Sequence, residues 1–162
     1  FNVQSMNAIM FWTMGSFNGT GWDQVFIVLP FVLLGCVVLA TTVRELDIML
    51  LGEDTATQLG VDTERLKKKV LIASSIVVAA VVSVTGIIGF VGLVVPHVVR
   101  MLTGPKHRVL LPLSMVLGGA FLVCCDTLAR SVASQEIPVG VITAAFGGPF
   151  FIYLLRKTRK GV

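Results

Sequence analysis

Charge is scarce in this chain: only 14% of its 162 residues are Asp, Glu, Lys or Arg, against 55% hydrophobic. With a mean hydropathy of +0.90, it carries more apolar surface than one soluble domain of this size can bury within itself. Lipid must therefore be the solvent for much of it. Cysteine is also sparse, with Cys36 in one apolar run and Cys124 and Cys125 in another. An odd count, no CxxC spacing and no histidine cluster nearby exclude a disulfide framework and a zinc site, and leave small packing residues. No GxSxG, no HExxH and no pair of carboxylates within an apolar run occurs, which argues against an intramembrane enzyme. The phosphate-cradling GxxxxGK[ST] is missing too, so any ATP hydrolysis belongs to another chain. The net charge of +4 does not indicate nucleic acid, because the basic residues fall in short segments between apolar runs and not on one folded face. The chain opens at Phe1 with no basic n-region and no cleavage pattern, so no signal peptide is expected within it, and its start is expected to be a cut and not a natural terminus.

What remains is a series of apolar runs, several near the length of about 20 residues that a helix needs to cross the hydrocarbon. Five are predicted as spans, over residues 24–43, 70–87, 89–102, 109–132 and 138–155. The first contains Pro30, tolerated where neighbours re-satisfy the freed carbonyl; the last is expected to bend or break at Gly147, Gly148 and Pro149. The fold class is thus all-α, a polytopic integral membrane protein of about five transmembrane helices. Residues 1–21 mix apolar side chains with Asn, Ser, Gly and Thr, and are read as the end of a preceding span, an outer loop and an interfacial helix.

Basic residues mark the side that stays in the cytoplasm. Arg44, Arg65, Lys67, Lys68 and Lys69 lie between the first two spans, Arg100, Lys106 and Arg108 between the third and fourth, and Arg156, Lys157, Arg159 and Lys160 after the fifth. All fall on one side, with Arg130 as the lone basic residue opposite. The start of the chain is therefore expected outside, its end inside, and Trp12 and Trp22 near the outer interface.

Residues 46–69 are too long for a simple turn and carry helix punctuation of their own. Gly52 precedes Glu53 and Asp54, acids suited to a helix N-terminus; Gly60 can supply a left-handed C-terminal cap, and Asp62 can cap a second helix running into the next span. Leu51, Ala56 and Leu59 are expected to form one apolar face, the layout of a helix that docks into a groove on a cytoplasmic partner. A helix lying on lipid would be basic on its polar face, whereas this one is acidic.

The stretches LGEDTATQLGVDTERLKKK, GIIGFVGLVVPHVVRMLTGPKHRVLLPLS, DTLAR and EIPVGVITAAFGGPFFIYLLRK resemble the second half of permeases in the iron-siderophore, haem and cobalamin importer family. The similarity covers nearly the whole chain with its motifs in order. Such permeases have about ten spans per subunit, each long enough to cross the hydrocarbon, and this chain is similar to the last five. The resemblance implies a non-catalytic permease subunit in the cytoplasmic membrane of a bacterium or archaeon, paired with a second permease subunit, two cytoplasmic ATPase subunits and an external substrate-binding protein. It needs no cofactor and no metal ligands of its own, because metal arrives already chelated.

The resemblance also implies roles for particular residues. Leu51, Gly52, Glu53, Ala56, Leu59 and Gly60 would seat in the ATPase groove and pass on its nucleotide state. Gly86, Gly89 and Gly92 would let backbones approach closely, beside Pro96 and His97 toward the inner end of the third span. A histidine within a span is a candidate metal ligand or proton carrier, but His97 has no second ligand three or four residues on, and His107 lies beyond Gly104 and Pro105 in a loop; a structural role is favoured. Asp126 and Arg130, four apart, can pair on one helix face. Arg130 and Glu136 would face the binding protein, and Gly147, Gly148 and Pro149 would shape helix packing or the pore. A self-contained channel would need ionisable residues at mid-span, where this chain is almost wholly apolar, and a purely structural subunit has no use for the acidic helix.

Overall fold

The computed structural model describes residues 3–132 and 137–159. Among them are seven helices and no strands: α1 (Val3–Met14), α2 (Trp22–Met49), α3 (Glu53–Gln58), α4 (Thr63–Thr85), α5 (Val91–Thr103), α6 (His107–Val132) and α7 (Val139–Arg159). By length and composition α2, α4 and α6 are sufficient to cross a membrane, and α5 and the Val139–Leu154 part of α7 are shorter apolar helices. Their apolar side chains stay uncovered: Leu34, Val37, Leu71, Ile72, Val116 and Val123 each expose between 59 and 68% of their surface. Such faces are stable only against lipid or a further protein surface.

Several helices differ from the runs that hydropathy marks out. At 28 residues, α2 is about 42 Å long, well beyond the ~30 Å of hydrocarbon. It continues past residue 43 through Arg44, Glu45 and Asp47 to Met49, and α4 begins at Thr63, seven residues before its apolar run at Val70. Hydropathy locates the stretch that lipid tolerates, whereas backbone hydrogen bonding continues into water. The expected break at Gly147, Gly148 and Pro149 does not occur, since α7 is a single helix through all three. Proline's fixed φ is compatible with the helix, and the missing N–H frees one carbonyl without unwinding the rest.

The chain divides into two compact units. Unit one comprises the described residues up to Gly19, Thr85–Val99 and those from Leu113 onward. Here three backbone segments meet directly. Ser16 N–H donates to the Thr85 carbonyl at 2.9 Å, Ile87 N–H to Trp12 at 3.4 Å, and Gly140 N–H to Gly15 at 3.1 Å. A Cβ on Gly86 would lie 2.0 Å from the Trp12 carbonyl oxygen, and one on Gly140 1.8 Å from that of Met14. Gly86 also holds φ +70°, a region where a side chain is strained. Close approach was expected at Gly86, Gly89 and Gly92, but a Cβ on Gly89, Gly92 or Gly148 meets open space. The tight positions in this unit are Gly15, Gly86, Gly140 and Gly147: a Cβ on Gly15 would lie 2.4 Å from the Ile87 carbonyl oxygen, and one on Gly147 2.2 Å from the Cβ of Phe90. Phe90 itself holds φ +67°, bracketed by a Val91 N–H to Gly89 carbonyl bond of 2.9 Å. That is a three-residue turn of the strained hand. Val95, Cys125, Ala129, Val139 and Thr143 are buried in this unit, with the Thr143 hydroxyl donating to the Gly140 carbonyl at 3.0 Å.

Unit two comprises Thr20–Val84 and Arg100–Pro112. A Cβ on Gly35 would lie 2.0 Å from Cγ2 of Val77, so α2 and α4 pack through a small-residue gap, the way helices associate where no hydrophobic effect draws them together. At one end Ala56, Val61 and Leu66 form a small core against Leu46, Ile48, Met49 and Val70.

Gly140→Ala is expected to cost ~1–3 kcal/mol by overpacking against fixed backbone, whereas Gly148→Ala is neutral or slightly stabilising because alanine favours a helix by ~1 kcal/mol over glycine. Thermal unfolding in detergent, followed by labelling of the three cysteines, measures both.

Candidate functional site

The segment after α2 unwinds in steps. Leu50, Leu51 and Gly52 N–H groups donate to the carbonyls of Asp47, Ile48 and Met49 at 3.0–3.3 Å, each three residues back. Gly52, at φ +104° and ψ 151°, then redirects the chain into α3. Glu53 and Asp54 occupy its first turn, where acids oppose the positive end of the helix dipole. At the far end Gly60 adopts φ +84°. Its N–H donates to Thr57 and the Val61 N–H to Ala56, both at 3.0 Å, the paired bonds of a left-handed glycine cap. Asp62 caps α4, its Oδ1 accepting the Arg65 N–H at 3.1 Å while Oδ2 pairs with the Arg65 guanidinium at 2.8 Å.

α3 is therefore a short helix bounded at both ends by glycine in a positive-φ conformation. Leu51, Ala56 and Leu59 do not form one face. Ala56 is wholly buried in the core with Val61 and Leu66, whereas Leu51 and Leu59 are 65 and 60% exposed. The reason is that α3 has only six residues, so both leucines flank it, outside the register that face arithmetic assumes. Ala56 anchors the segment, and Leu51 and Leu59 project from it. Glu53 is tied to α4 through an ion pair with Lys67, both side chains about half exposed. The hydrogen bond from Lys67, and secondly its charge, hold the Glu53 carboxyl below the usual glutamate range.

Of the residues singled out in unit one, Arg130 Nε lies 2.8 Å from Asp126 Oδ2 along one face of α6. Phe150 of α7 meets the ring of His97 edge-on, with centroids 6.2 Å apart. Pro96 sits inside α5. Among the described residues no group of three His, Cys, Asp or Glu is placed to hold a metal ion. Glu136 lies outside the described residues.

One contact was not anticipated. Asp47, in the last turn of α2, accepts the backbone N–H of His107 at 2.5 Å, and the same Oδ1 lies 3.1 Å from His107 Nδ1. Their side chains are only 27 and 21% exposed. A signal was available in the sequence. Gly104, Pro105 and Lys106 precede α6 and none can cap it, so its first amides need an acceptor from elsewhere.

A depressed carboxyl favours the folded state only while ionised, so the Glu53–Lys67 tie is present above the unfolded glutamate value and is lost as pH falls through the lower folded one. In Lys67→Met, which removes the partner that lowers it, the Glu53 carboxyl is expected to titrate at higher pH than in the wild type, measured by carbon NMR of labelled glutamate.

This geometry can be set beside known proteins. The chain is 54% identical over 147 residues to the cobalamin import system permease protein BtuC of Halobacterium salinarum, covering 91% of this chain and 40% of that one. It is 39% identical over 158 residues to the hemin transport system permease protein HmuU of Yersinia pestis, covering 97 and 47%. A solved metal-chelate type ABC transporter in an inward-facing conformation superimposes with a TM-score of 0.88 at 36% identity, covering 97% of this chain and 51% of that one. The chain thus spans about half the length, or less, of these relatives. Residues 1–157 match the FecCD transport family, and with an all-helical, multi-pass architecture and a glycine-bounded helix between its first two long spans, the chain belongs to that family.

Proposed function

We propose that this chain forms the C-terminal part of the permease subunit of an ATP-driven importer, carrying a ferric siderophore or a related chelate such as haem or cobalamin across the cytoplasmic membrane. The observation that carries the reading is the build of residues 51–60: a short helix with glycine at both ends, anchored by Ala56 and presenting Leu51 and Leu59 to solvent beside Glu53. Uncovered leucines beside an acidic residue, on a segment too rigid to fold them away, suit a groove on a partner protein. The partner is a cytoplasmic ATPase subunit, which supplies the hydrolysis. Two such subunits closing on ATP would move the coupling segments of two permease subunits and shift the balance between inward-open and outward-open forms.

The family membership and the names of the relatives support the cargo class. The side bearing α3 is then cytoplasmic, in keeping with Lys67, Lys68, Lys69, Lys106 and Arg108 at that end of unit two. Arg130 and Glu136 would face an external substrate-binding protein. The apolar character of the spans fits a bulky chelate, and the importer needs no bare metal ligands because its metal is carried as part of the cargo.

Capture of the cognate ATPase subunit by the permease in detergent tests the reading. Glu53→Arg and Leu59→Asp are each expected to weaken capture by at least about tenfold, equivalent to ~1.4 kcal/mol. Retention by both variants, or no capture by the wild type, would sink it.

A further inference from the structure

The proposed coupling segment is joined by the chain to α2 on one side and α4 on the other, and α6 is reached only through contacts. Asp47 supplies one. Its neighbours Leu46, Ile48 and Met49 pack on the Ala56, Val61 and Leu66 core that anchors α3, while its own carboxylate turns the other way, to the first residue of α6. A carboxylate in the last turn of a helix sits at the wrong end of its own dipole. It is stabilised here by serving the positive end of another helix, and one oxygen holds both the backbone N–H and the ring nitrogen of His107. No residue from Gly104 to Lys106 can replace it as a cap. The two groups are about three-quarters covered, which strengthens the tie and limits competition from water.

We infer that Asp47 is a positioning residue, which with His107 ties the corner of the coupling segment to α6, so that displacement of α3 by a partner moves the first turn of a membrane-spanning helix. This rests on the coupling reading of α3. The hydrophobic grip of Leu46, Ile48 and Met49 makes α3 and the end of α2 move together. The Asp47 carboxylate makes the first turn of α6, which begins at His107, follow.

The test uses the complete permease with its ATPase subunits in lipid nanodiscs, with and without a non-hydrolysable ATP analogue, read by amide hydrogen exchange. In the wild type both residues 50–61 and residues 104–112 are expected to change exchange rate by at least about threefold between the two states, since exchange reports local opening. In Asp47→Ala residues 50–61 still respond and residues 104–112 do not. Asp47→Asn, whose side-chain oxygen still accepts the His107 N–H, restores at least about half of the response. A cap with no coupling role gives a different pattern: Asp47→Ala speeds exchange of residues 104–112 equally in both states and leaves their ratio unchanged, which overturns the proposal. Should Asp47→Ala fail to fold, the wild-type arm still decides, because a response confined to residues 50–61 overturns it as well. If the wild-type permease does not bind the ATPases at all, it is the reading of α3 that has failed, and the tie loses its role with it.

Discussion

Hydrocarbon offers no hydrogen-bond partner, and every backbone amide that enters it must find an acceptor within the protein. That constraint accounts for the shape of each element described. The long apolar runs are helices because only a helix satisfies its own backbone within one segment. Buried hydroxyls such as those of Thr42 and Thr143 donate back to carbonyls of their own helix. Where backbone segments meet directly, as Trp12, Gly15, Thr85, Ile87 and Gly140 do, glycine at Gly86 and Gly140 lets the carbonyls approach to hydrogen-bonding range. Helix ends are the weak points of such a design, because each leaves unpaired groups behind.

The chain handles its helix ends in two ways. α3 and α4 are capped locally, by the left-handed turn at Gly60 and by the carboxylate of Asp62. α6 is capped from a distance, by Asp47 of α2. Local caps make a segment stiff without committing it to its surroundings. A remote cap commits two helices to one another. Unit two combines both around the same small core, which makes the neighbourhood of α3 a rigid corner instead of a floppy loop. Leu51 and Leu59 at that corner are left exposed.

Legibility in the sequence followed the range of the interaction. The glycine punctuation at Gly52 and Gly60 and the cap at Asp62 depend on neighbours within five residues, and reading them needed no knowledge of the fold. The supposed common face of Leu51, Ala56 and Leu59 failed because helical periodicity was applied across a six-residue helix whose flanking leucines obey no such period. Gly147, Gly148 and Pro149 looked like a break because composition records each residue's preference and not the support of the whole helix around it. Among the glycines, conformational permissiveness is visible in the letter itself, but which of them a neighbour touches is not: Gly86, Gly140 and Gly147 are tight, and Gly89, Gly92 and Gly148 are open.

By itself the sequence determined that this is a multi-pass helical membrane chain of the importer-permease type with a capped acidic helix between its first two long spans, because hydropathy and capping are properties of short stretches. Only the tertiary structure decided that Ala56 is an anchor while Leu51 and Leu59 are presented, that Phe90 covers Gly147, and that Asp47 completes a helix beginning sixty positions later. Each of those depends on which residues distant in the chain come within a few ångströms of one another. No local preference encodes that proximity; it is set by how the helices pack once lipid has made them helices.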